Sequence, residues 1–97
     1  MKTTQAVTRF KNVWDALADT PEQAQNLKAR SALMIAITQH ILREKLTQAQ
    51  AAKLLRVTQP RVSDLMRGKI DLFSVDNLIE LLYAAGLQVE MKLRKVA

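Results

Sequence analysis

The chain contains no cysteine, which excludes disulfides and thiolate metal sites. Its two glycines, Gly68 and Gly86, are too few and too far apart for a phosphate-cradling loop. The one histidine, His40, has no cysteine or carboxylate cluster near it and reads as a helix-surface residue. Ser63-Asp64 has no histidine at a suitable position, so a hydrolase triad is unsupported. These absences leave no catalytic residue, no metal ligand set and no cofactor site, and an enzyme is not expected. No apolar run approaches the ~20 residues of a membrane span. The N-terminus lacks the basic-then-apolar order of a signal peptide. A single cytoplasmic domain of 97 residues is therefore expected, without a membrane partner.

Acidic residues are also scarce where basic ones gather. The net charge is +6. Residues 43–69 hold seven basic side chains (Arg43, Lys45, Lys53, Arg56, Arg61, Arg67, Lys69) against two acidic ones, Glu44 and Asp64. That segment carries +5, which leaves +1 for the rest of the chain. Positive charge concentrated in this way is the footprint expected for a polyanionic partner. A merely solubilising basic face has the same composition.

Along the chain, Val7, Phe10, Trp14 and Leu17 recur at spacings of three, four and three, one face of a short N-terminal helix. Residues 1–20 are read as an arm distinct from a domain over 21–97. Thr20-Pro21-Glu22-Gln23 combines a cap, a proline in the first turn and a capping-box glutamine. It opens a long helix over about 21–44, striped by Leu27, Leu33, Met34, Ile37 and Ile41. Thr47 and Gln50 form a second box ahead of a short helix over about 48–55. Thr58 caps a third helix, with Pro60 in its first turn, and Gly68 closes it. Ser74 caps a fourth over about 75–85, with Leu78, Ile79, Leu81 and Leu82 apolar. From Leu87 to Arg94 apolar and polar residues alternate, the period of a half-buried strand. A lone strand leaves backbone groups unpaired. It needs the arm, a second copy or another protein beside it. The fold class is therefore mainly all-α, four or five helices with a C-terminal β-strand.

The bend at Arg56-Val57 is short, so the second and third helices must cross steeply. At about 100° per residue, Val62, Leu65 and Met66 fall on one side of the third helix. Pro60, Ser63, Asp64 and Arg67 lie opposite. Arg61 stands on a flank, and Thr58 and Gln59 lie at the exposed start. This is the arrangement of a recognition helix whose N-terminal residues reach base edges. The side chains fit base-reading roles. Arg61 and Arg67 suit guanine and Gln59 suits adenine, while Asp64 can accept from cytosine. Ser63 can serve a base or a phosphate, and Thr58 at the exposed start is counted with the base readers. Gln48 at the start of the second helix suits a phosphate, and Lys53 and Lys69 add salt-sensitive attraction.

Gln48, Ala52, Val57, Val62 and Leu65 stand at the spacings of the Cro and lambda-repressor (XRE) type of helix-turn-helix. The runs NLKARSALMIAI, LTQAQAAKLL, VTQPRVSDLMRGK and FSVDNLIELLYAAGLQVE resemble more closely the HigA-type antitoxins. Those are small regulators often encoded beside a RelE/HigB-like mRNA interferase. The resemblance spans roughly residues 13–93. It implies a homodimer on a palindromic operator, autorepression of the operon, and neutralisation of a toxin through regions outside the recognition helix. The arm with Val7, Phe10, Trp14 and Leu17 is then the candidate toxin contact. The strand with Leu87, Val89, Met91 and Leu93 is the candidate dimer contact. A stand-alone or phage-type regulator without a toxin shares the same module. The departure from the family is Arg56, where glycine is usual because the turn residue takes φ > 0. Arginine there costs about 1 kcal/mol relative to glycine and adds a charge suited to a phosphate.

Overall fold

A computed structural model describes residues 20–96 as four α-helices and one 3₁₀ turn. They are α1 (Pro21–Arg43), α2 (Gln48–Leu55), α3 (Gln59–Met66), the turn Ile70–Leu72 and α4 (Val75–Ala84). The arm residues Val7, Phe10, Trp14 and Leu17 lie outside the described residues.

Each helix begins where its sequence provides a hydroxyl. Thr20 Oγ1 accepts from the Gln23 amide at 3.1 Å, and Thr58 Oγ1 from the Arg61 amide at 3.3 Å. The boxes at α2 and α4 are reciprocal. Thr47 and Gln50 exchange bonds of 3.1 and 2.9 Å, and Ser74 and Asn77 bonds of 3.0 and 3.3 Å. These bonds satisfy amides that have no partner inside the helix.

The helix ends share one device. A residue turns left-handed, and the amide after it reaches back five residues to a helix carbonyl. Leu46 bonds Ile41 at 3.1 Å, Val57 bonds Ala52 at 3.0 Å, Lys69 bonds Asp64 at 3.1 Å and Leu87 bonds Leu82 at 2.9 Å. The left-handed residues are Lys45 (φ 54°), Arg56 (φ 61°), Gly68 (φ 72°) and Gly86 (φ 83°). Both glycines are used, and two basic residues serve at the remaining ends.

The core joins all four helices. Met34, Ile37 and Ile41 come from α1, Ala51, Ala52 and Leu55 from α2, Val62 and Leu65 from α3, and Leu78, Leu81 and Leu82 from α4. Ala51 and Ala52 leave room for the close approach of α2. Phe73, on the loop before Ser74, is 1% exposed and completes the core. Its position before the Ser74 cap, paired with Leu78 four residues into α4, is that of a hydrophobic staple. No polar side chain is buried among the described residues.

Three expectations change. Among the described residues no strand forms, and residues 87–96 carry no regular secondary structure. A strand exists only through a neighbour's hydrogen bonds, and the described residues offer no second strand to pair with. The alternation still has an effect: Leu87 and Val89 pack against the core, while Met91 and Leu93 are 78% and 92% exposed. On α4, Ile79 faces out at 37% exposure, since Leu78, Leu81 and Leu82 already fill the inward face. On α1, Leu33 packs at the margin of the core and Ala24 is buried.

Leu65 holds α3 to this core from behind and is 1% exposed. Leu65→Ala should cost about 2–5 kcal/mol by cavity formation. Urea unfolding should show it as a lower midpoint with an unchanged slope. A loss under 1 kcal/mol would mean that α3 is not anchored there.

Candidate nucleic-acid interface

The turn between α2 and α3 comprises Arg56, Val57 and Thr58. Arg56 adopts φ 61°, ψ 41°, and its amide bonds the Ala52 carbonyl. The chain thereby reverses in three residues, and α3 packs across α2 through Ala52, Leu55, Val62 and Leu65. Val57 is half-buried beneath the turn.

With Val62 and Leu65 inside, the opposite side of α3 faces out. Thr58, Gln59, Pro60 and Arg67 are exposed, and Ser63 and Asp64 are half-exposed. Gln48 and Lys53 on α2, Arg56 in the turn and Lys69 after Gly68 are exposed as well. Lys69 Nζ pairs with Asp64 Oδ1 at 3.4 Å, the one salt bridge among the described residues. Lys53, Arg56 and Arg67 therefore contribute charge that no carboxylate there pairs with.

Arg61 is placed differently from its neighbours. Its Nη1 donates to the Leu72 carbonyl at 2.7 Å, and its guanidinium carbon lies 3.9 Å from the centre of the Phe73 ring. Arg30 of α1 donates through Nη1 to the carbonyls of Ile70 and Phe73, at 3.2 and 3.4 Å. Arg30 Nε also donates to Asn26 Oδ1 at 2.7 Å. Sequence reasoning missed Arg30 and Phe73. The apolar residue before the Ser74 cap was a readable sign of Phe73. Nothing local marks Arg30, whose partners are 40 and 43 residues away.

No group of metal-ligating side chains occurs among the described residues. A groove of about 610 Å³ between the turn and α4 is open and lined by both charge signs, with Arg56, Arg61 and Glu80. No helix among the described residues is long and apolar enough to cross a membrane.

The two crossed helices and their basic outer face define a helix-turn-helix module. Residues 16–94 match the family described as the helix-turn-helix domain. A solved structure assigned to the XRE family of transcriptional regulators is 38% identical, with a TM-score of 0.70. The similarity covers 75% of this chain and 82% of that one. A search of curated proteins returns no match. The chain belongs to the XRE-like helix-turn-helix family, whose members are DNA-binding transcriptional regulators, typically without enzymatic activity.

Arg56→Gly should relieve the left-handed strain and raise stability by up to about 1 kcal/mol. Thermal unfolding reads this as a higher midpoint. If Arg56 meets a phosphate, the slope of log affinity against log salt should become shallower by about one. A raised midpoint with an unchanged slope would leave Arg56 no role on DNA.

Proposed function

We propose that the chain is an autoregulating repressor and the antitoxin of a two-protein module. The observation that carries the DNA-reading half is the orientation of α3. Val62 and Leu65 are 0% and 1% exposed, and the opposite side presents Thr58, Gln59, Ser63 and Arg67. These four side chains meet base edges in the major groove. Gln48, Lys53, Arg56 and Lys69 meet phosphates on either side. Phosphate contacts set register, and the few base contacts set sequence.

Two copies on a palindromic site follow from the resemblance to repressors of this type. The exposed Met91 and Leu93, next to Leu87 and Val89, support pairing of the terminal segment with a second copy. Such pairing would supply the backbone partner that the alternating sequence needs. Neutralisation of a RelE/HigB-like toxin is assigned to the arm, through Val7, Phe10, Trp14 and Leu17. Its support is the amphipathic spacing of those residues and the likeness to HigA-type antitoxins. The alternative is a stand-alone regulator that shares the DNA-binding unit and has no toxin.

Co-purification of the full chain with the product of the adjacent gene, followed by a gel shift on its own promoter, tests both halves. Deletion of residues 1–18 should abolish co-purification and leave the promoter shift. A shift without any co-purifying partner favours the stand-alone regulator. Loss of the shift with a lowered melting temperature would place the arm in the core instead.

Substitutions on the reading face separate the two kinds of contact. Gln59→Ala should cost about 1–3 kcal/mol of affinity and relax preference at one base pair. Lys53→Ala should weaken all sequences alike and lower the salt slope by about one. A Gln59→Ala chain with unchanged affinity and selectivity would refute the assigned reading face.

A further inference from the structure

We propose that Arg61 is a positioning residue. It ties α3 to the turn at residues 70–73, and so fixes the tilt of the reading face without touching a base. This rests on the DNA-reading function proposed above.

Arg61 lies in the first turn of α3, beside the residues assigned to bases, yet its head group faces its own domain. It makes a 2.7 Å bond to the Leu72 carbonyl and stacks at 3.9 Å on Phe73. Both contacts are eleven or twelve residues away in sequence, beyond the end of α3. Phe73 is 1% exposed, so the guanidinium covers a core ring. Carbonyls of the same turn also accept from Arg30 of α1, at 3.2 and 3.4 Å. The 70–73 segment is thus a strut between α1 and α3, held by Arg30 from the one helix and by Arg61 from the other.

The strut supplies what α3 lacks. The helix has eight residues, two of them fully buried. Val62 and Leu65, with Met66 at the margin of the core, hold its back. Arg61 adds an anchor through the 70–73 turn. Base readout needs side chains held within about 0.5 Å, so a small roll about the helix axis displaces Gln59 and Arg67 together. An arginine suits the task because its planar head can stack on a ring and donate in-plane at once, which lysine cannot.

The full chain first selects its preferred duplex from a random-sequence pool. Affinity for that duplex and for its single-base variants is then measured across salt for R61M, R61K, F73M and R61M/F73M. R61M should bind about tenfold more weakly, with the loss spread over all base positions and the salt slope unchanged. R61K keeps the charge but loses the stack, and should be as weak as R61M. The double variant should be no weaker than R61M alone. A loss confined to one base pair would overturn the proposal, as would R61K near wild type with a slope about one unit shallower for R61M. So would losses that simply multiply in the double variant. If F73M does not fold, the comparison of R61K with R61M and the single-base profile still decide. A wild-type chain that enriches no duplex would instead overturn the DNA reading. The tether is then judged by thermal unfolding, where additive losses from R61M and F73M would overturn it.

Discussion

Four helices in 77 described residues must each stop and turn within a few residues, and only a left-handed residue lets them do so. Glycine takes that conformation freely, but the chain has two glycines for four ends. At the other two, Lys45 and Arg56 accept a strain of about 1 kcal/mol each. Cations at a helix C-terminus interact favourably with the helix dipole, by roughly 0.3–1 kcal/mol, which offsets part of that strain. The reversal at Arg56 matters most. With fewer residues α2 and α3 could not cross, and with more the reading helix would lose its fixed relation to the scaffold.

That scaffold separates its chemistry cleanly. The described residues bury no charged or polar side chain. The positive charge of residues 43–69 is therefore carried outside without the desolvation that burying a charge would impose. The one salt bridge among the described residues, between Asp64 and Lys69, offsets one of those charges. Lys53, Arg56 and Arg67 on the α2–α3 unit remain without a carboxylate partner among the described residues.

Legibility in the sequence followed the range of the interaction. Caps, boxes and left-handed ends lie within five residues, and Thr20, Thr47, Thr58, Ser74 and Gly68 were all readable as punctuation. The buried stripe of α3 was readable too, because two residues per turn suffice to orient a helix. The Ile70–Leu72 turn and its two arginines were not, since their partners are set by the packing of distant elements. The terminal segment falls between these cases. Its alternation marks Leu87 and Val89, which pack inward, but strand formation depends on a neighbouring strand that the described residues do not supply. The arm poses the same difficulty: spacing gives it an apolar face without naming what covers that face.

The eight residues of α3 would not persist as a helix in water, since isolated helices below about 12 residues are marginal. Its shape and orientation are therefore tertiary properties, imposed by Val62 and Leu65 from behind and by the strut at its side. If α3 reads DNA as proposed, changes in the core and in the 70–73 turn would act on recognition without any contact to DNA. Two regulators with the same reading residues would then differ in selectivity through Phe73 or Arg30 alone. On that reading, the residues that choose a sequence extend beyond those that reach it.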